Sequence, residues 1–190
     1  MDLLVRRRSM MSTEHREIKP IQIIQNGNFV DWTVSQNVPD NWTKKSYTTL
    51  AIEDGWLSYT RTGSSNGMYQ NVGGLLITGH KYYFAFQFKN NTATTGGIVL
   101  RLSSTTTSST PNYISSGLTE GRKDAVVSFT SSWENGYVHL AATIGNKTSI
   151  FMKNIFAIDL TATFGAGNEP DLATCRTLFT EDYYEYYVGI

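Results

Sequence analysis

The sequence contains few side chains of the types that perform catalysis, and their spacing does not suggest a reactive group. No two of the three histidines, His15, His80 and His139, fall at a metal-ligand spacing. The chain has neither a Gly-rich phosphate-binding loop followed by Lys-Ser/Thr nor a Gly-x-Ser-x-Gly nucleophile turn. Adjacent acids such as Glu53-Asp54 are typical of exposed turns. The sequence therefore predicts a protein that is not an enzyme.

Sugar binding is the chemistry for which the chain is better supplied. Apolar sugar faces stack on exposed aromatic rings, while Asn, Gln, Arg and Asp side chains satisfy the hydroxyls. The sequence has 4 tryptophans and 11 tyrosines, several of them in or beside polar loops. The predicted glycan contacts are Trp32, Trp56, Tyr69, Tyr113, Trp133, Arg61, Gln70 and Arg101.

Composition excludes several other classes of function. Lys and Arg total 16 and Asp and Glu total 16, so no long-range field is expected to attract nucleic acid or an anionic membrane. The single cysteine, Cys175, excludes an intrachain disulfide and a thiolate zinc site, and we expect it to fill core space. No apolar run approaches the ~20 residues that span a bilayer, so membrane insertion is not predicted. The order of apolar and basic residues at the N-terminus is the reverse of a signal peptide, so export is not predicted either.

Short alternating runs from about residue 20 onwards predict many strands. Tyr82, Phe84, Phe86 and Phe88 fall on one face of the clearest run. Asn135-Gly136 predicts a tight hairpin between the two strands that flank it. The predicted strands lie near 21–24, 49–52, 56–60, 68–72, 82–88, 98–103, 125–133, 137–144 and 150–160. The number and spacing of these strands predict an all-β fold, an antiparallel jelly-roll β-sandwich.

One helix is predicted near the C-terminus. Asn168-Glu169-Pro170 offers a capping side chain, an acid and a first-turn proline. Leu172, Cys175, Leu178 and Phe179 then recur at three- and four-residue steps, which gives one stripe that can pack on the sandwich. The chain is thus divided into an arm (1–19), the jelly roll (20–165), and a helix with a tyrosine-rich tail (166–190).

The N-terminal arm is short and amphipathic. Leu3 and Leu4 precede Arg6, Arg7 and Arg8. Such a segment can order on the surface of a partner protein, and we predict that it docks there. A solvated terminus is the alternative, and nucleic-acid binding ranks below protein docking because no wider basic face accompanies the arginines.

Two segments resemble known families. Asn26-Gly27-Asn28-Phe29, followed by Val38-Pro39-Asp40-Asn41-Trp42, resembles the opening of carbohydrate-binding-module jelly rolls. Residues 158–170, Ile-Asp-Leu-Thr-Ala-Thr-Phe-Gly-Ala-Gly-Asn-Glu-Pro, resemble a linker in bacteriophage tail and other minor virion proteins. There is also a structural interpretation of the second segment, because Gly165 and Gly167 allow a sharp turn from a strand into a helix.

The resemblance implies a phage virion structural protein that displays a carbohydrate-binding-like module. Its location would then be the virion, after synthesis in the host cytoplasm, and its partners would be capsid or tail proteins, glycans and further copies of itself in a homo-oligomer. Trp42 would be buried. No cofactor is expected beyond a structural calcium ion at Asn28, Asp31 and Asp159, since related jelly rolls often hold one near their first and last strands. A decoration, head-fibre or tail-assembly protein without a sugar site is the main alternative, and a fragment of a carbohydrate-active enzyme is the third.

Overall fold

The computed structural model of the chain describes residues 20–33, 37–104, 112–130 and 136–180. In these ranges the strands form two antiparallel sheets. The six-stranded sheet contains, in spatial order, β3 (Thr48–Glu53), β4 (Trp56–Arg61), β11 (Thr148–Asp159), β6 (Lys81–Asn90) and β9 (Gly121–Ser128), with β1 (Ile21–Gln22) paired to the end of β11. The five-stranded sheet contains β2 (Thr43–Lys44), β5 (Met68–Asn71), β10 (Tyr137–Ala142), β7 (Ile98–Ser103) and β8 (Asn112–Ser116). The predicted antiparallel sandwich is confirmed.

The main core lies between the two sheets and follows the period-2 alternation of the strands. Tyr82, Phe84, Phe86 and Phe88 on β6 are all buried in it, as the alternation predicted. Trp42 is also buried there, as the resemblance implied. The opposite faces of these strands point away from the partner sheet. On the six-stranded sheet, part of this outer face is covered by the C-terminal segment.

A short C-terminal segment covers half of the outer face of the six-stranded sheet. It contains α1 (Leu160–Phe164) and α2 (Leu172–Leu178). Cys175 and Phe179 pack there against Tyr83 and Phe156, which forms a second buried cluster, and Phe179 stacks on Tyr83 with ring centres 5.6 Å apart. Burial raises the pKa of the Cys175 thiol to about 11, in keeping with its predicted role as core filler. Neither helix is long enough to cross a membrane.

Two local predictions from the sequence are wrong. The strands on either side of Asn135-Gly136 do not form a hairpin, because β9 lies in the six-stranded sheet and β10 in the five-stranded sheet. The tight hairpin is instead at Asp54-Gly55, where both residues have positive φ and β3 pairs directly with β4. The cap of the C-terminal helix is Asp171, which accepts the backbone N–H of Thr174 at 2.8 Å, and the helix begins two residues after Pro170.

The segment that resembles the phage linker is a closed hydrogen-bonded structure. Asp159 caps α1 by accepting the backbone N–H of Ala162 at 2.9 Å. Glu169 accepts hydrogen bonds from the Thr161 hydroxyl at 2.8 Å and from the backbone N–H of Gly167, and it forms an ion pair with Lys81. Since these polar groups are engaged with one another, the segment acts here as a clasp that turns β11 into the helices covering the sheet.

The clasp continues into a polar contact between α2 and β9. Asp124 accepts two hydrogen bonds from the Arg176 guanidinium, both at 2.8 Å, and one from the Tyr83 hydroxyl at 3.0 Å. Burial alone would raise the pKa of Asp124, but the hydrogen bonds from Arg176 and Tyr83 and the charge of Arg176 outweigh it, so the pKa is lowered below 3.8. The ionised carboxylate therefore stabilises the docked helix.

This contact predicts a pH-dependent contribution to stability. A group whose pKa is lowered by folding stabilises the fold above its unfolded pKa and loses that contribution as the pH falls through its folded pKa. We expect Asp124→Asn to lower the free energy of unfolding by about 1–2 kcal/mol at pH 7, a modest value because Arg176 is 56% exposed, and by clearly less at pH 3. Urea unfolding of the Asp124→Asn variant and the unaltered protein at pH 7 and pH 3 measures the loss of unfolding free energy at each pH. Asp54→Asn, in an exposed turn, is the control, and a deficit for Asp124→Asn that is equal at both pH values would contradict the assignment.

Candidate functional site

The candidate site is the outer face of the five-stranded sheet, and the register of its strands determines which side chains meet there. Val138 and Leu140 on β10 point into the core, so Tyr137 and His139 point outwards. His139 is directly opposite Tyr69 on β5 and Arg101 on β7. Side chains from three strands thus form one row across the sheet.

Aromatic rings dominate this row. The Tyr69 ring centre lies 5.3 Å from that of His139 and 5.8 Å from that of Tyr137, the latter pair being edge to face. The Tyr137 and His139 ring centres are 6.2 Å apart. Both tyrosines are half-buried, whereas His139 between them is only 3% exposed. The histidine therefore supports the two rings, which present partly accessible surfaces.

Positive charge borders the aromatic row. Arg101 is half-buried and continues the row on the β7 side. Lys45 lies beside the row, where a Cβ built on Gly67 would be 3.6 Å from both the Lys45 Cδ and the Ala141 Cβ. Burial and the nearby charge of Arg101 lower the pKa of Lys45, so the two cations share one surface. We call the surface formed by Tyr69, Tyr137, His139, Arg101 and Lys45 the tyrosine face.

Two of the predicted polar contacts are used within the fold. Gln70 is buried, and its side chain exchanges hydrogen bonds of 2.8 and 2.9 Å with the backbone of Gln25, which fixes the opening segment to β5. Arg61 donates to the backbone carbonyls of Gly63 and Ile144, which joins two loops. Neither residue belongs to the tyrosine face, since Gln70 points inwards and Arg61 lies in the other sheet.

The remaining predicted contacts are dispersed. Trp32 is half-buried and packs against the main core, and Trp56 lies on β4 of the other sheet. Tyr113 lies on β8, whose neighbour in the sheet is β7, and only its backbone position is described. Trp133 and the arm residues Leu3, Leu4, Arg6, Arg7 and Arg8 lie outside the described residues.

Of the three residues predicted to bind calcium, Asp159 and Asp31 take part in other contacts. Asp159 is 2% exposed and contacts His80, with the Nδ1 to Oδ2 distance 2.8 Å, besides capping α1. Asp31 is exposed, and its backbone N–H and carbonyl are hydrogen-bonded to the Asn26 side chain. Among the residues that the structure describes, no group of three or more His, Cys, Asp or Glu side chains is placed to hold a metal ion. Calcium binding at Asn28, Asp31 and Asp159 stays a prediction.

Sequence reasoning identified Tyr69 and Arg101 but missed Tyr137, His139 and Lys45. Alternation along residues 137–140 places Tyr137 and His139 on the face opposite Val138 and Leu140, and two aromatic polar side chains two residues apart on an outward face are the available signal. Nothing in the sequence indicated that Lys45 approaches the same surface. The convergence depends on strand register, which joins residues about 70 positions apart along the chain.

Comparison with known proteins gives a likeness of fold. No protein-family model matches the chain, and no curated protein matches it in sequence. One similar solved structure is a fragment of the Clostridium thermocellum xylanase 10B, containing its CBM22-1 and GH10 modules in complex with xylohexaose, with 17% identity and a TM-score of 0.56 over 74% of this chain. This chain spans only 28% of that fragment.

Single modules match over nearly their whole length. The CBM22-1 xylan-binding domain of Paenibacillus barcinonensis Xyn10C has 10% identity and a TM-score of 0.54, covering 74% of this chain and 96% of the domain. The C-terminal family 22 module of Clostridium thermocellum Xyn10B has 14% identity and a TM-score of 0.55, covering 80% and 98%. The chain therefore has a jelly-roll fold like that of carbohydrate-binding modules.

Proposed function

We propose that this chain is a virion structural protein that displays a carbohydrate-binding-like module, and that the tyrosine face is its glycan-binding surface. The observation that carries the proposal is the row of rings at Tyr69 and Tyr137, supported from below by His139 and bordered by Arg101 and Lys45. Tyrosine combines a flat apolar ring with a hydroxyl, which suits a ligand with apolar faces and polar edges.

The geometry suits a chain of sugars better than a single small molecule. The row crosses three neighbouring strands, which lie ~4.8 Å apart, so it spans roughly 10 Å of surface. A ligand lying across the strands would stack on the rings, while Arg101 and Lys45, which border the rings, donate hydrogen bonds to its hydroxyls. Each contact is weak, and useful retention would come from many copies acting together.

The virion assignment rests on the sequence of the clasp, which resembles the phage linker, and on the predicted docking arm. In this proposal residues 1–19 attach the module to a capsid or tail protein, and the jelly roll projects outwards to glycans of a host or its surroundings. Homo-oligomer formation belongs to the same proposal. That the chain has no catalytic role is also a proposal. The fold alone does not establish it, because a similar module occurs in one chain with a GH10 module.

A multivalent form of the full-length chain tests sugar binding. Streptavidin-linked protein should bind a subset of spots on a glycan array, and soluble xylan, xylohexaose and bacterial surface polysaccharides serve as first solution probes. A blank array with a multivalent, folded protein would remove the sugar-binding half of the proposal. It would leave a purely structural decoration, head-fibre or tail-assembly protein.

Deletion of residues 1–18 tests the docking arm. The truncated protein should fold as before but should fail to enter virions, because the arm supplies the contact with the partner protein. Immunoblots of purified particles measure incorporation, and replacement of Arg6, Arg7 and Arg8 by serine separates the charges from the apolar residues. Normal incorporation of the deletion variant would show that the docking assignment is wrong.

A further inference from the structure

The outer face of the six-stranded sheet has an open half next to the half covered by α2. Trp56 on β4, Phe151 and Lys153 on β11, and Lys89 on β6 lie together there, all half-buried. Register explains the grouping, since Lys89 is directly opposite Phe151 and β4 adjoins the same part of β11. We call these four residues the Trp56 cluster.

Two ammonium groups share the Trp56 ring. The Lys153 Nζ lies 4.4 Å from the ring centre and the Lys89 Nζ 5.0 Å from it, while Lys89 is also 4.8 Å from the centre of Phe151. Cation–π contacts of this kind hold an ammonium group in place but supply only about 0.5–1 kcal/mol near solvent. The aromatic rings therefore fix two like charges close together.

The hydrogen-bond donors of these ammonium groups are unused within the described part of the chain. Each ammonium carries three donors, and no described residue accepts a hydrogen bond from, or forms an ion pair with, Lys89 or Lys153. Two acids are nearby: Glu53 is opposite Trp56 in the β3–β4 register, and Glu120 accepts the backbone N–H of Asn90 at 3.0 Å. Neither lies within 4 Å of either ammonium group.

A groove beside the cluster gives a ligand room. Its volume is about 320 Å³, and it is lined by Trp56, Gln87, Phe88, Lys89, Glu120 and Arg122. That volume is at the lower end of the ~300–1,000 Å³ typical of ligand sites. Arg122 is the second cation of the groove wall beside Lys89, and Glu120 contributes one negative charge. The Nη2 of Arg122 is hydrogen-bonded to Tyr83 and to the carbonyl of Phe179.

We propose that the Trp56 cluster and this groove form a second binding site, selective for acidic sugars. The carboxylate of a uronic acid residue would accept hydrogen bonds from the Lys89 and Lys153 ammonium groups, and the apolar edge of the sugar would contact Trp56 and Phe151. This site is on the opposite sheet from the tyrosine face, so it does not depend on the function proposed for that face.

Affinity electrophoresis of the full-length chain in polygalacturonate tests the site. The matched ligand is fully methyl-esterified polygalacturonate, which has the same backbone without the charge. We expect polygalacturonate to retard the protein and the ester not to. The variant with Lys89→Gln and Lys153→Gln should bind polygalacturonate about tenfold or more weakly, as expected for the loss of charge-assisted hydrogen bonds.

A control variant with Lys44→Gln and Lys147→Gln carries the same change in net charge at positions remote from the cluster and should bind as the unaltered protein does. Circular dichroism and urea unfolding confirm that each variant is folded. Equal retardation by the ester, equal losses in the two lysine variants, or equally tight binding of dextran sulfate would each overturn the proposal. A Tyr69→Ala variant that keeps polygalacturonate binding separates this site from the tyrosine face.

Discussion

Gly27→Ala is expected to lower the free energy of unfolding by about 3 kcal/mol or more. A Cβ built on Gly27 would lie 1.7 Å from the backbone carbonyl oxygen of Ile155, far inside van der Waals contact. The atom in the way belongs to the backbone of β11, which cannot rotate aside as the end of a side chain would. An alanine side chain can therefore be accommodated only if the turn at Gly27 or the backbone of β11 moves.

Such a displacement would break several contacts around Gly27 and so would destabilise the fold. Its carbonyl accepts the backbone N–H of Ile155 at 2.9 Å, beside an irregularity in the pairing of β11 with β6 between Lys153 and Phe156. The opening turn is also fixed by Asn26, whose carbonyl accepts the Trp42 indole N–H at 3.2 Å, and by Phe29, whose ring centre lies 5.7 Å from that of Trp42. The turn is thus held to β11 and to Trp42 by several contacts at once, so it cannot move without breaking them.

Thermal and urea unfolding of the full-length chain measure the effect. For a protein of this size, about 3 kcal/mol corresponds to a decrease in Tm of about 10 °C. Gly74→Ala is the matched control, because nothing lies within 4 Å of a Cβ at that position and its backbone does not have positive φ. If Gly27→Ala and Gly74→Ala unfold at the same urea concentration, the close approach of Gly27 to the Ile155 carbonyl would be contradicted.

The largest expected effect on binding is at the tyrosine face. Tyr69→Ala or Tyr137→Ala should weaken binding of any neutral glycan recognised on the array by about tenfold, and the double variant should bind too weakly to measure. The reason is that truncation removes the flat apolar surface on which a sugar ring would stack. It also leaves His139 without the rings that cover it.

Conservative and remote variants separate binding from folding. Tyr69→Phe and Tyr137→Phe keep both rings and should retain most of the affinity, with a smaller loss from the missing hydroxyl. Tyr47, which is 49% exposed and follows β2, is the site of the control variant Tyr47→Ala. Titration calorimetry with the recognised glycan gives the affinities. Undiminished binding by the double alanine variant would place the sugar elsewhere.

The layered fold could be predicted because alternation is a local property of each strand. Tyr82, Phe84, Phe86 and Phe88 indicate a buried face without any knowledge of their partners. Strand pairing is not local, and Asn135-Gly136 is a misleading turn signal because the strands before and after it belong to opposite sheets. The Asp54-Gly55 pair carried the same turn chemistry and does form the hairpin.

The candidate site was predictable only in part, for the same physical reason. Tyr69 and Arg101 have the right chemistry, but the residue that joins them is His139 on a strand distant in sequence. Arg61 and Gln70 have equally suitable chemistry, but their side chains are hydrogen-bonded to loop backbone. No local sequence pattern reveals these contacts. The position of Trp56 beside two lysines likewise follows from pairing across β4, β11 and β6.

A heteronuclear NMR titration of the full-length, isotope-labelled chain with a recognised neutral glycan tests the glycan-binding surface most directly. We predict that the chemical-shift changes are largest at Tyr69, Arg101, Tyr137 and His139, and that the amides of α2 are unaffected. Changes confined to the loops, or to strands of the six-stranded sheet, would contradict the assignment of glycan binding to the tyrosine face.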